Sequence, residues 1–159
     1  MKLLALDGNS LINRAFYAIR PLSNKEGLPT NAIFGFLNIY LRLLAEEPCD
    51  GVCVAFDTIE PTFRKERYEG YKAKRKGMPD ELALQLPYLK QILDALGVRR
   101  MELPGWEADD ILGTVARMLG EGGHSCVVVT GDRDSLQLAD ENTSVRLVLS
   151  KGGVSSDKL

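Results

Sequence analysis

The sequence predicts an α/β fold of three layers (α/β/α), with a central, mainly parallel sheet between layers of helices. Short apolar runs are nearly continuous rather than alternating, which is typical of strands covered on both faces. Stretches with helical spacing separate these runs, and that alternation is typical of a parallel sheet flanked by helices. The 159 residues suffice for one domain with a sizeable core, which we place over residues 1–159.

The predicted strands are four apolar runs, and three of them end in or near aspartate. After the first strand, Gly8-Asn9-Ser10 is predicted to form a turn rather than the longer apolar core of a signal sequence. The predicted strands lie at 2–7, 51–57, 125–132 and 144–150.

Three stretches have apolar residues at helical spacing. The first spans 31–46, with Thr30 at the N-cap. The second has Pro79 in its first turn and stops at Gly97, and the third begins at Glu107 and ends at Gly120. Near the end of the chain, Ser-Ser-Asp at 155–157 predicts a further helix start.

The composition excludes several classes of protein. No apolar run approaches the roughly 20 residues of a membrane span, so we expect a cytoplasmic protein without a membrane partner. Cys49, Cys53 and Cys126 lie in or beside apolar runs without paired spacing, which favours buried thiols over disulfides or a zinc site. The single histidine, His124, lies in a Gly-rich turn, which makes a Ser-His-Asp triad improbable.

One basic segment stands out in a chain whose net charge is −2. Residues 64–76 carry seven basic and two acidic side chains, a local charge of +5, and Tyr68 and Tyr71 lie among them. Cations that neutralise phosphates, together with aromatic rings that stack on bases, suit a nucleic-acid strand with exposed bases. A solvated amphipathic helix is the alternative for this segment taken alone.

Acidic residues follow the predicted strands and begin the third predicted helix. Because the carboxyl ends of parallel strands meet at one edge, and the loop before that helix passes the same edge, these side chains are expected to converge there. Taken singly, each could cap a turn or a helix terminus. The seven residues are Asp7, Asp57, Glu107, Asp109, Asp110, Asp132 and Asp134.

So many carboxylates in one cleft would raise one another's pKa values, and divalent cations relieve that repulsion. A donor set of oxygens alone selects Mg²⁺ or Mn²⁺. The number of carboxylates exceeds the need of one ion, so two ions are predicted, as in two-metal phosphodiester cleavage.

The motifs resemble a known family. They are "LDGNSLINRAFYA", "PTNAIFGFLN", "VAFD", "TFRKERYEGYKAKR", "PGWEADDILG" and "TGDRDSLQL", in the family order and over nearly the whole chain. The chain resembles the 5′-nuclease domain at the N-terminus of bacterial DNA polymerase I, within the flap-endonuclease superfamily and its PIN-like, resolvase-like fold. The resemblance implies metal-dependent 5′→3′ exonuclease and flap endonuclease action on DNA with a 5′ end or 5′ flap, in replication and repair.

The resemblance also implies roles for individual residues. Asp7, Asp57, Glu107, Asp109 and Asp110 match ligands of one metal, and Asp132 and Asp134 match part of a second site. A basic helical arch at about 60–80 would follow the second strand. Within it, Tyr71, Lys72 and Arg75 match residues that reach the scissile phosphate, and Arg14 and Arg64 are further candidates for phosphate contact.

In the family the chain continues into a helix–turn–helix-type DNA-binding element, which supplies further aspartates to the second metal, and in the full-length proteins a polymerase domain follows. This sequence ends at Leu159, before that element. We therefore expect the isolated chain to be weak or inactive.

Three alternatives stay open. A phosphoacceptor signalling domain would carry acid-labile phosphate on Asp57. A non-catalytic DNA-binding module would use the acids only structurally. A PIN-type ribonuclease would share the metal site but act on RNA.

Overall fold

The computed structural model describes residues 1–58 and 77–149 together with the backbone of 155–158. Arg64, Tyr71, Lys72, Arg75 and most of the predicted arch lie outside the described residues. Among the described helices, none is both long enough and apolar enough to cross a membrane.

A six-stranded sheet forms the centre of the fold, and its strand order is β3-β2-β1-β4-β5-β6. All neighbouring strands run parallel except the last pair, β5 and β6. The strands are β1 (Lys2–Asp7), β2 (Gly51–Ala55), β3 (Arg99–Met101), β4 (Ser125–Thr130), β5 (Thr143–Leu149) and β6 (Ser155–Lys158).

Helices cover both faces of the sheet, which confirms the predicted three-layer α/β/α class. Three helices pack on one face over a core of large side chains that includes Leu4, Leu6 and Phe36. The fourth packs on the other face, where small residues such as Ala5 and Ala55 let the helix approach the strands closely. The helices are α1 (Gly8–Ala18), α2 (Asn31–Glu46), α3 (Asp80–Ala95) and α4 (Ala108–Glu121), and a 3₁₀ helix spans Arg133–Leu138.

The prediction of a turn at Gly8-Asn9-Ser10 was wrong, because these residues begin α1. The Asp7 carboxylate accepts the Ser10 N–H at 3.2 Å and so caps the helix, and α1 then buries an apolar stripe that includes Leu11 and Ile12. Gly8 is needed here because a Cβ at this position would lie 2.4 Å from the Phe56 ring.

The predicted helix start at 155–157 was also wrong, because Ser155–Lys158 forms a strand antiparallel to β5. Pairing with the edge of β5 satisfies backbone groups of that strand, which outweighs the local preference of Ser-Ser-Asp for a helix cap. The short strand β3 was not predicted, since three residues at a sheet edge, two of them arginine, carry too little apolar pattern.

Thr30 occupies the N-cap position of α2, but within the described residues its side chain makes no capping hydrogen bond. The cap comes from another helix. Gln85 of α3 is fully buried, and its Oε1 accepts the N–H groups of Ala32 and Ile33 at 2.8 and 3.1 Å. Its Nε2 donates to Asn31 Oδ1 at 2.9 Å, so one side chain locks α3 onto the start of α2.

All three cysteines are free, and the thiols of Cys53 and Cys126 are buried as predicted, whereas Cys49 is only partly buried. Burial raises the pKa of Cys53 to about 11 and that of Cys126 to about 12. These two thiols therefore belong to the core beneath α4.

Candidate metal and nuclease site

The sheet has a topological switch point between β1 and β4. The strands β2 and β3 lie on one side of β1, and the later strands β4, β5 and β6 lie on its other side. In open parallel sheets the functional crevice forms at such a point, beyond the carboxyl ends of the strands. A cavity of about 510 Å³ lies there. Its wall includes Asp7 at the end of β1, Asp57 after β2, Asp109 in α4 and Asp132 after β4.

Four carboxylates from four separate segments thus line one cavity. A neighbouring cavity of about 240 Å³ shares Asp109 and is also lined by Asp110 and Asp134. Carboxylate oxygens of Glu107, Asp109 and Asp110 lie within 4.8 Å of one another. The structure therefore places the seven acidic residues singled out in the sequence in two adjoining cavities and one cluster that share Asp109; their roles as metal ligands stay a prediction.

Asp7 is buried, and it lines the larger cavity at the end of β1. Burial raises the pKa of Asp7 from 3.8 to about 6, and the nearby charges of Asp57 and Asp109 act in the same direction. The hydrogen bonds from Ser10 N–H at 3.2 Å and from the Thr130 hydroxyl at 2.9 Å oppose that rise. A cation in the cavity would favour the charged form of Asp7.

Each acid of the larger cavity also holds a backbone group in place. Asp57 Oδ1 accepts the Ala108 N–H at 2.6 Å, which ties the end of β2 to the first turn of α4. Asp132 Oδ1 accepts the Asp134 N–H at 2.9 Å and caps the 3₁₀ helix. The capping and metal-binding interpretations of these acids are therefore compatible, since a carboxylate has two oxygens.

Contacts at the start of α4 explain how three acidic residues are accommodated within residues 107–110. Glu107 and Asp110 form a capping box, in which the Glu107 N–H donates to Asp110 Oδ2 at 3.2 Å. The Asp109 carboxylate accepts the Asp110 N–H at 3.1 Å. The helix terminus and its dipole thus balance part of the negative charge, and a divalent ion would balance more.

Two residues of α1 form hydrogen bonds with the backbone of Gly131, which precedes Asp132. The Gly131 N–H donates to Ser10 Oγ at 2.7 Å, and Arg14 donates to the Gly131 carbonyl at 2.8 Å. A Cβ at Gly131 would lie 2.7 Å from Arg14 Nε and 2.9 Å from Ser10 Oγ, so glycine is required for this close approach. Arg14, predicted as a phosphate contact, thus lines the cavity and also braces the β4 end.

Sequence reasoning assigned no role to the polar residues of α1 and β4 that support the acids. Asn9 Oδ1 accepts the Asp57 N–H at 2.7 Å, and the Thr130 hydroxyl joins Asp7 to the N–H of Asp132. Asn13 and Tyr17 line the same cavity. Residues 10, 13, 14 and 17 recur at helical spacing on one side of α1. That pattern could have indicated the cavity-lining residues, but α1 was not predicted from the sequence.

A family model described as the 5′-3′ exonuclease, N-terminal resolvase-like domain, matches residues 2–158. This chain belongs to that family. DNA polymerase I of Caldicellulosiruptor bescii is 46% identical over 151 residues, which are 95% of this chain and 18% of the relative. DNA polymerase I of Bacillus subtilis is 42% identical over 146 residues, 92% of this chain and 17% of the relative.

This member of the 5′-3′ exonuclease family therefore spans less than a fifth of the length of these relatives. Among solved structures, a T5 5′-exonuclease with bound zinc ions superposes with a TM-score of 0.68 at 20% identity, over 91% of this chain and 54% of the other. The T5 D15 flap endonuclease in a pseudo-enzyme-product complex with DNA and metal ions gives a TM-score of 0.65 at 20% identity, with the same shares covered. At this identity the likeness concerns the fold.

Proposed function

We propose that the chain is a metal-dependent nuclease domain that hydrolyses DNA phosphodiester bonds at 5′ ends and 5′ flaps, as part of a DNA polymerase I-like protein. The observation that supports this most strongly is the meeting of Asp7, Asp57, Asp109 and Asp132 in the wall of one cavity. Family membership supports the reaction class. The donor set of carboxylates favours Mg²⁺ or Mn²⁺, and the two adjoining acidic cavities favour two ions.

Bound ions would activate a water molecule and neutralise charge on the attacking and leaving oxygens. The residues of the chain would hold these ions and attract the phosphate. Asp7, Asp57 and the Glu107–Asp110 cluster would hold the first ion, and Asp132 and Asp134 would contribute to the second. Arg14 places a permanent positive charge in the cavity wall, where it would help a phosphate to approach the acids.

The basic segment completes the proposal. Arg64, Tyr71, Lys72 and Arg75 would contact the DNA, and the last three would steady the scissile phosphate and the leaving strand. Their place in the chain supports this role, because the segment follows Asp57 and the chain re-enters the cavity wall at Gly77, Met78 and Pro79. A polynucleotide near so many carboxylates needs such compensating cations.

The test is cleavage of a 5′-labelled flap DNA by the 159-residue chain, with Mg²⁺ and with a chelator in its place. We expect weak Mg²⁺-dependent cleavage, detectable with excess enzyme, that is lost in the Asp109→Asn/Asp110→Asn variant and kept in Glu141→Gln. Glu141 is a suitable control, since it is exposed and precedes β5 at the amino edge of the sheet. Absence of cleavage in wild type, even with excess enzyme, would overturn the proposed activity for this chain.

The same flap made of RNA separates a deoxyribonuclease from a PIN-type ribonuclease. Preferential cleavage of RNA would replace our proposal with that alternative. Binding of flap DNA without cleavage of either the DNA or the RNA substrate would favour a non-catalytic DNA-binding fragment.

A further inference from the structure

The residues that line the larger cavity are of two different chemical kinds. Most are acidic or polar, and these include Asp7 and Asp57. Tyr17 and Met78 also line it, and these residues are 70% and 40% exposed. Of the large apolar side chains that are exposed in the described part of the chain, these two alone line this cavity. Apolar side chains do not contribute to the binding of metal ions or of a bare phosphate.

Tyr17 is held on a rigid support. It lies in the last turns of α1, the helix that is anchored to Asp7 at one end and to Gly131 through Ser10 and Arg14. Its ring centroid lies 5.1 Å from that of Phe16 with an interplanar angle of 80°, and Phe16 packs against the core. The ring is therefore steadied by an edge-type contact while most of the residue stays open to solvent.

The helix also sets the distance between Asp7 and Tyr17. Ten residues separate Asp7 from Tyr17, and at 1.5 Å per residue this is about 15 Å along α1. A stacked nucleic-acid strand advances about 3.4 Å per nucleotide, so this length corresponds to roughly four nucleotides, or fewer in a stretched strand. Asn13, one turn before Tyr17, adds an amide between the acids and the ring.

We propose that Tyr17 and Met78 form a base-binding subsite, in which an unpaired nucleobase stacks on the Tyr17 ring while its strand runs past Asn13 towards the acids. This inference rests on the proposed function only in taking a polynucleotide as the ligand. Stacking suits a site without sequence preference, because every base has an aromatic face. The thioether of Met78 can pack against whichever base enters.

The test uses single-stranded DNA that carries one 5-iodouracil at successive positions, irradiated on the chain with Ca²⁺ in place of Mg²⁺ to slow hydrolysis. We expect one or two adjacent positions to cross-link to the peptide that contains Tyr17. Tyr17→Leu should remove that cross-link and weaken binding about tenfold, whereas Tyr17→Phe should stay within about twofold of wild type. Tyr88→Leu is a matched control, because Tyr88 is an exposed tyrosine of α3 outside this cavity.

An abasic nucleotide at the mapped position provides an independent readout. It should weaken binding to wild type but not to Tyr17→Leu, because the two changes remove the same contact. Cross-linking elsewhere, or equal affinities of Tyr17→Leu and Tyr17→Phe, would overturn the subsite while leaving nuclease activity intact. Cross-linking at Tyr17 without cleavage would uphold the subsite and overturn the proposed catalysis. A chain that neither binds nor cleaves DNA would overturn both.

Discussion

Asp57 Oδ1 accepts the backbone N–H of Ala108 at 2.6 Å, and this hydrogen bond fixes the end of β2 to the first turn of α4. The contact joins residues 51 positions apart and holds two of the acidic segments at the same cavity. It gives Asp57 a structural role that does not depend on metal.

The two roles of Asp57 can be separated by substitution. Asp57→Asn keeps an oxygen acceptor for the Ala108 N–H but removes the charge, whereas Asp57→Ala removes both. We expect both variants to lose affinity for Mn²⁺, and Asp57→Ala to be less stable than Asp57→Asn by about 1 kcal/mol. Urea unfolding without metal measures the difference. Equal stabilities would show that the hydrogen bond to Ala108 contributes nothing.

The pKa of Asp7 predicts a pH dependence of stability in the metal-free protein. The carboxyl ionises near 3.8 in the unfolded chain and near 6 in the folded one, so the folded protein binds more protons between these values. The free energy of unfolding should therefore fall as the pH rises from about 4 to about 6, by roughly 2 kcal/mol from this group.

Asp7→Asn isolates this contribution, because it removes the titrating group and leaves the other acids. The difference in unfolding free energy between wild type and the variant should change across that pH range. A constant difference would refute the assignment to Asp7. Saturating Mg²⁺ should stabilise wild type most at the upper end of the range, where Asp7 is charged.

Gly8 and Gly113 offer a matched pair of helical glycines. At Gly8 a Cβ would lie 2.4 Å from the Phe56 ring, which is fully buried, whereas at Gly113 it would lie 3.4 Å from Leu138 Cδ2. We expect Gly8→Ala to lose roughly 1–3 kcal/mol and Gly113→Ala to be neutral or up to about 1 kcal/mol more stable. Thermal unfolding tests both, and similar effects of the two substitutions would contradict the close approach of the Phe56 ring to Gly8.

Gln85 provides a fourth stability test. Gln85→Ala would leave the N–H groups of Ala32 and Ile33 buried without their acceptor, so we expect a loss of about 2–3 kcal/mol or more. Thr30→Ala should change stability by less than about 0.5 kcal/mol, because its hydroxyl makes no capping bond in the described structure. If urea unfolding showed a larger loss of stability in Thr30→Ala than in Gln85→Ala, Thr30 and not Gln85 would be the cap of α2.

Lys72→Ala tests the proposed arch. Because Lys72 is proposed to act on the phosphate rather than on the metal, cleavage of the flap DNA should fall at least tenfold while Mn²⁺ affinity stays at the wild-type value. Parallel losses of cleavage and metal affinity would place Lys72 in the metal site instead.

Patterns in the sequence predicted most of the fold because buried strands and amphipathic helices each have a period. The strand and helix positions agree with the structure to within about two residues at β1, α2, β4 and β5. Failures occurred where a distant partner decides the local structure. Residues 155–158 pair with β5, and the N-terminus of α2 takes its cap from Gln85.

The same distinction applies to the site. The acids were recognisable because strand ends in a parallel sheet share an edge, so their positions followed from topology. The supporting contacts of Asn9, Ser10 and Thr130 were not recognisable, because they depend on how the start of α1 lies against the ends of β2 and β4. The subsite at Tyr17 likewise required knowledge of which residues of α1 line the cavity.

The central claim is that acids from separate segments gather so that divalent ions can bind and hold a phosphate. Titration of the metal-free chain with Mn²⁺, followed by electron paramagnetic resonance, tests it most directly. We predict saturable binding to wild type and to Glu141→Gln, and at least tenfold weaker binding to Asp109→Asn/Asp110→Asn. Absence of saturable binding to wild type, or equal affinity in all three proteins, would contradict the claim.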